Sequence, residues 1–345
     1  MKIFWLFRSN IKHLEYYHRY DNLEDFENNC HDFYMLFPIW LLRENHFDAV
    51  VIWRLSNDPP NEITFNVEGK TYTQRWVRNF SEVLQFPQPT MSFFRGGFKE
   101  YDMVTRENPN KFGLAIYLAT GHRIYPQWGG KYDLFVQEDQ GDFRNGKNCR
   151  PFFKTASPKI FRPIPWFQTS AYKYDICWPC NFKQIRQKGQ EQFIRAISKS
   201  SYLKSLRIVH CGNQPQVGKE MCKKYRVSNI EFKGSLDRRE MNLLLNESLF
   251  GLCMSNKNDG CPRVATEILC SGTPMILSEQ TRLLPYYKQK GVIVVNDSNI
   301  SEKVMEGISY QERYKQDVFK AIKTTLSFDE ICQKNIDIWK NASSI

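Results

Sequence analysis

The chain has 345 residues, of which 41% are hydrophobic, 14% aromatic and 25% charged. That length accommodates two domains, and that apolar content excludes a disordered polymer. Ten cysteines in so long a chain exclude a disulfide scaffold, and the longest apolar stretch, Phe33 to Leu42, is too short to span a bilayer.

The formal net charge is +11, and it is unevenly placed. Residues 171–345 hold 27 Lys and Arg against 18 Asp and Glu, whereas residues 1–170 hold 21 against 19. The excess cations therefore lie in the second half, where they suit an anionic ligand. Ile3 to Phe7 is too short for a secretory h-region, so a cytoplasmic protein with reduced thiols is expected.

Lys2 to Phe7 reads as a buried strand, and Asp32 to Glu44 has helical spacing despite Pro38. This segment reads as a core helix, with peripheral membrane contact as the alternative. Arg8 to Asn29 carries no clear period. Phe47 to Leu55 is a second strand, stopped by Asp58, Pro59 and Pro60. Ile63 to Tyr72 alternates around Glu68 and Gly69, which predicts a hairpin. A short helix is expected at Phe80 to Leu84. Strands follow at Thr90 to Phe94, ending in Arg95, Gly96 and Gly97; at Phe112 to Ala119, ending before Gly121, His122 and Arg123; and at Tyr132 to Gln137. Phe152 to Pro165, rich in proline, reads as an extended linker.

A second α/β series begins with the strand Tyr174 to Trp178. A basic loop holding Lys183, Arg186 and Lys188 follows, then a helix at Gln190 to Ser198. Strands are expected at Leu206 to Cys211 and Ile230 to Lys233, and helices at Gly218 to Tyr225 and Arg238 to Glu247. Next comes the stretch Gly251 to Leu277: a strand through Leu252, Cys253 and Met254, a polar loop over 255–260, a helix at Arg263 to Cys270 and a strand at Met275 to Leu277. Gly272 and Pro274 terminate that helix. A strand at Gly291 to Val295, a helix at Ile300 to Ile308 and a final helix at Phe328 to Trp339 complete the series. Strands alternating with helices predict an α/β fold.

The loop and helix before Gly272 carry acids at Asp259 and Glu267, with Arg263 between them. Free N–H groups at the helix start favour a phosphate, and an acid within the helix can accept hydrogen bonds from sugar hydroxyls. Together they suit a ligand that is both phosphate and polyol.

Asp259, Gly260, Cys261, Pro262, Arg263, Val264, Ala265, Thr266 and Glu267, followed by Gly272, Thr273 and Pro274, resemble the donor-site motif of family-4 (group 1) retaining glycosyltransferases. The resemblance implies a GT-B-like fold, two Rossmann-like domains facing across a cleft. An acceptor-binding domain is expected over 1–165, a nucleotide-sugar-binding domain over 166–325, and a final helix over 326–345 crossing back to the first. It implies that Glu267 holds the donor ribose, that Asp259 contacts the donor sugar, and that Gly260, Cys261, Arg263 and Val264 line the site. Lys188 before Gly189 matches the family's Lys-Gly, where the lysine holds the diphosphate. The family's usual arginine falls on Phe182, so Lys183 or Arg186 is expected to supply that charge. His122 corresponds to a histidine beside the donor sugar. The expected catalytic set is thus His122, Lys188 and Asp259.

The expected reaction is sugar transfer from a UDP- or GDP-sugar to a glycan or other hydroxyl acceptor, without cofactor or metal and without stable nucleic acid binding. A nucleic-acid-modifying or nucleic-acid-binding protein and a catalytically silent nucleotide-sugar binder are the alternatives. Cys177 and Cys180 have redox or zinc spacing but no second pair, so plain thiols are expected there.

Overall fold

In the computed structural model the chain forms two compact units, Met1–Lys154 with Cys332–Ile345, and Thr155–Ile331. The structure describes residues 1–8, 20–95, 98–119, 126, 128–138, 149–165, 172–182, 188–256, 262–281 and 284–343. Both units are α/β, each built on one sheet.

The first unit contains strands β1 (Ile3–Phe7), β2 (Ala49–Leu55), β3 (Ile63–Val67), β4 (Lys70–Val77), β5 (Met91–Arg95), β6 (Leu114–Ala119), β7 (Leu134–Gln137) and β8 (Cys149–Pro151). Their order in the sheet is β3-β4-β2-β1-β5-β6-β7-β8. All neighbours are parallel except β3 and β4. That pair is joined by Glu68 and Gly69, both at positive φ, the backbone that a two-residue hairpin needs. Every residue of β1 is buried, as a central parallel strand requires.

Aromatic side chains fill both faces of this sheet. Trp5, Phe7, Trp53, Phe94, Tyr101 and Phe112 share one core. On the other face the helix Phe33–Arg43 is buried at every position but its last. Its Phe37 ring meets Phe152 and Trp339, its Tyr34 ring meets Phe93, and Trp339 also stacks on Phe4. Buried Asn335 fixes the last helix, Phe328–Ser343, to this unit. Its side chain accepts from the Phe153 N–H at 2.9 Å and donates to the Phe153 carbonyl at 2.8 Å.

The second unit contains β9 (Tyr174–Pro179), β10 (Ile208–Cys211), β11 (Ile230–Phe232), β12 (Ser248–Cys253), β13 (Met275–Ser278) and β14 (Val292–Val295). Their order is β11-β10-β9-β12-β13-β14, and every pairing is parallel. This is the doubly wound Rossmann order, and its direction reverses between β9 and β12. The stretch Phe152–Pro165 is not the extended linker expected: it turns at 158–160, where the Ile160 and Phe161 N–H groups donate to the Ser157 carbonyl at 3.2 and 2.8 Å, and Phe152, Phe153, Ala156, Ile160 and Phe161 are buried. Arg162 and Ile164 donate backbone N–H groups to Asn242 and Asn246 at 3.1 and 2.8 Å. Among the described residues no helix is long and apolar enough to cross a membrane.

Candidate functional site

In a doubly wound sheet, ligands bind beyond the carboxyl ends of the strands where the order reverses. Here that point lies between β9 and β12. The helix Gln190–Lys199 follows β9, and the helix Arg263–Cys270 follows β12. Neither has a side-chain cap at its amino end. First-turn N–H groups of both helices are therefore not consumed by a capping side chain.

Gly189 sets the geometry of the first loop. Its φ is 62°, and an added Cβ would stand 2.5 Å from the Met254 carbonyl oxygen at the end of β12. Only glycine permits both the left-handed backbone and this approach. Half-buried Lys188, immediately before it, is thereby held where the two loops converge. Buried Gln190 braces the loop from below, donating Nε2 to the Asn181 carbonyl at 2.9 Å. Asn181 in turn accepts from the Asn213 N–H at 2.8 Å, joining the loops after β9 and β10.

Glu267 lies one helical turn beyond Arg263 and is 4% exposed. A carboxylate this deep needs a cation. Arg238 supplies it: one guanidinium nitrogen stands 3.2 and 3.3 Å from the two carboxylate oxygens. Arg238 is the first residue of the helix Arg238–Asn246, whose start is fixed by a capping box of Asp237 and Glu240. Thus Glu267 is a buried, oriented acceptor backed by a partly exposed arginine. The helix bearing it ends at Gly272, at φ 82°, packed against Pro163 and Phe319. Thr281 donates to the Ser255 carbonyl at 2.8 Å and anchors the start of the loop after β12.

Of the site residues read from the sequence, the structure therefore describes Lys188, Arg263, Val264 and Glu267. Arg263 is exposed and Val264 half-buried on the helix after β12. His122, Lys183, Arg186, Asp259, Gly260 and Cys261 lie outside the described residues, as do Gly96 and Gly97. Phe182 is a core residue. It is 1% exposed and packs against Trp178, His210 and Phe232. The position at which the family resemblance places an arginine thus holds packing and no charge. Arg238 was missed by sequence reasoning. The pattern Asp237-Arg-Arg-Glu240 announces a capping box, but only the tertiary fold brings Arg238 to Glu267.

Cys177 and Cys180 are free thiols, and burial raises the pKa of both. The Cys180 sulfur lies 3.5 Å from Nε2 of His210. Burial lowers the His210 pKa to about 4, so its imidazole is neutral at pH 7. Among the described residues no group of three or more His, Cys, Asp or Glu could hold a metal ion.

Two parallel-sheet, Rossmann-like units of this kind define the GT-B fold class. Solved structures of that class superpose over the whole chain. A sucrose-phosphate synthase from Thermosynechococcus elongatus matches with a TM-score of 0.66 at 12% identity, covering 100% of both chains. A UDP-forming α,α-trehalose-phosphate synthase from Burkholderia xenovorans gives 0.68 at 10% identity, also with 100% of both chains covered. Anabaena Alr3699/HepE, solved in complex with UDP and glucose, gives 0.64 at 8% identity over 100% of both. No curated protein matches the chain in sequence. Residues 183–317 match the family described as glycosyl transferases group 1, and this stretch is a domain of that family.

Proposed function

We propose that the chain is a retaining, metal-independent glycosyltransferase that takes a nucleotide-sugar in the second unit and a hydroxyl acceptor in the first. The observation that carries the reading is Glu267, buried and charge-paired, on the helix that follows the switch-point strand within the family-matched segment. A carboxylate held there is suited to accept hydrogen bonds from two vicinal ribose hydroxyls. Lys188 and the N–H groups at the start of Gln190–Lys199 hold the diphosphate. Arg263 and Val264 begin the opposing helix, and Asp259, Gly260 and Cys261 precede it next to the donor sugar. Lys183 and Arg186 add positive charge, and His122 is the remaining candidate for the catalytic set.

In this account the bond between the anomeric carbon and the diphosphate oxygen breaks while the acceptor oxygen bonds to the same face of that carbon. The acceptor proton passes to the departing diphosphate. Negative charge grows on the diphosphate, so a fixed ammonium and oriented N–H groups bind the transition state more tightly than the ground state. The complex of Alr3699/HepE with UDP and glucose favours UDP-glucose or a related UDP-sugar as donor. The described cysteines are all free thiols, which supports a reducing compartment such as the cytoplasm.

Phe182 in the core favours a second reading, a nucleotide-sugar binder without turnover. Incubation with UDP-, GDP-, ADP- and CMP-sugars, with release of nucleoside diphosphate as readout, separates the two. Acceptor-dependent release from one donor supports transfer. Binding of a donor without release supports the silent binder, and absence of any binding contradicts both.

A further inference from the structure

The carboxyl edge of the first sheet carries a feature that the donor site does not use. Three strands there carry an aromatic residue followed by arginine at their carboxyl ends: Phe7 and Arg8, Trp53 and Arg54, Phe94 and Arg95. These are the three adjacent strands β2, β1 and β5. The register pairs Phe7 with Trp53 on one side and with Phe94 on the other. The next level therefore places Arg8 between Arg54 and Arg95. Alternation puts all three in one row, continuing the rows Phe4, Val50, Met91 and Leu6, Ile52, Phe93 on the same face.

Neighbouring strands lie about 4.8 Å apart, and like charges opposite one another on a sheet face destabilise it. A guanidinium cannot shed its proton to relieve this. Arg8 and Arg54 are 6% and 2% exposed, so water does not screen them well. The first turn of the helix Phe33–Arg43 lies over the row. Asp32, its cap, pairs with Arg8 at 2.5 Å. The sulfur of Met35 meets Arg54 at 3.3 Å. The Arg95 guanidinium carbon sits 4.0 Å from the centre of the Tyr34 ring. The Tyr34 hydroxyl donates to Glu138, which also pairs with Lys154 at 2.9 Å. Burial works to raise the Glu138 pKa, but Lys154, Arg95 and that hydroxyl together hold it below the usual carboxylate value. Among the described residues this edge thus gathers Arg8, Arg54, Arg95 and Lys154 around two carboxylates, Asp32 and Glu138.

The order of this sheet reverses between β1 and β5, so the row stands at its ligand-binding position. We infer that half-buried Arg95, the accessible member of the arginine row, binds a phosphate group carried by the acceptor, with Arg8 and Arg54 supplying buried positive charge behind it. A planar guanidinium fixed over a ring suits two phosphate oxygens at once. The inference rests on reading the first unit as the acceptor side. It narrows the acceptor to a phosphorylated molecule, either a soluble sugar phosphate or the headgroup of a phospholipid.

Calorimetric titration of inorganic phosphate into the full chain, with UDP present to fill the second unit, tests it. Saturable binding is expected, weakened ten- to hundredfold in Arg95→Gln and less in Arg95→Lys, which keeps the charge. Vesicles of phosphatidylcholine with one-fifth phosphatidic acid provide the second arm. Arg95-dependent vesicle binding assigns the phosphate to a lipid; Arg95-dependent binding of free phosphate alone assigns it to a soluble acceptor. Equal binding by wild type and both folded variants in both arms overturns the inference. A separate UDP titration reports on the donor reading. Loss of UDP binding with Arg95-dependent phosphate binding intact would sink that reading alone.

Discussion

Replacing Glu267 by alanine separates a binding role from a structural one. The side chain is 6% exposed and its partner Arg238 is 34% exposed. Truncating Glu267 leaves an arginine that can turn toward water, so the stability loss is expected near that of a screened pair, about 1 kcal/mol. The lost acceptor for ribose hydroxyls is larger. Hydrogen bonds to a charged group contribute about 1.5–3 kcal/mol, which lowers nucleotide affinity roughly 10- to 100-fold. Arg238→Ala acts the other way. It strands a buried carboxylate, a change expected to cost about 3 kcal/mol of stability. Calorimetry with UDP and urea unfolding of both variants check the contrast. Unchanged UDP affinity in Glu267→Ala, with its circular dichroism intact, would refute the ribose role. Equal stability losses in the two variants would refute the assignment of Arg238 as the partner that makes burial of Glu267 tolerable.

Lys188→Ala is expected to lower kcat about 10²- to 10³-fold with a smaller rise in donor KM, because its ammonium meets charge that develops on the diphosphate; steady-state kinetics at saturating acceptor test this, and a wild-type kcat moves Lys188 out of the site. Turnover is expected to survive EDTA, since lysine and helix amino ends neutralise the diphosphate; full loss restored by Mn²⁺ or Mg²⁺ contradicts that. Burial holds the folded His210 pKa at about 4, below its ordinary value of 6.5. The unfolded chain therefore takes up the proton first, so this contribution is complete above pH 6.5. It is lost as the pH falls toward 4, by up to about 3 kcal/mol. His210→Gln is expected to flatten the dependence of stability on pH in that window, measured by urea unfolding between pH 4 and 7.

The strands of both sheets were legible because parallel strands covered on both faces read as short continuous apolar runs, as in Ile3–Phe7 and Val292–Val295. Gly272 and Pro274 likewise announced the end of the helix bearing Glu267. Other elements left weaker traces. In the helix Gln311–Ile322 only Val318 and Ala321 are buried, so its pattern is mostly polar. The strand Cys149–Pro151 is three residues long and ends in proline. The helix Lys99–Glu107 buries Asp102 and Thr105 beside Tyr101 and Val104, which blurs its apolar stripe.

Pairings across the fold were not legible at all. Phe182 was read by analogy with a charged position, whereas the spacing between Trp178 and Phe232 makes it core. The contact of Arg238 with Glu267 bridges 29 residues. Arg8, Arg54 and Arg95 each follow an aromatic residue in plain view, yet only strand order and register bring the three side by side.

The most direct measurement is a thermal-shift screen of the full chain against UDP-, GDP-, ADP- and CMP-sugars, repeated with Glu267→Ala. A ligand that binds only the folded state raises the melting temperature. A concentration-dependent rise with one nucleotide class, UDP-sugars foremost, and its loss in the variant is the expected result. No shift with any nucleotide-sugar, or an equal shift in the variant, would contradict a donor site built around Glu267.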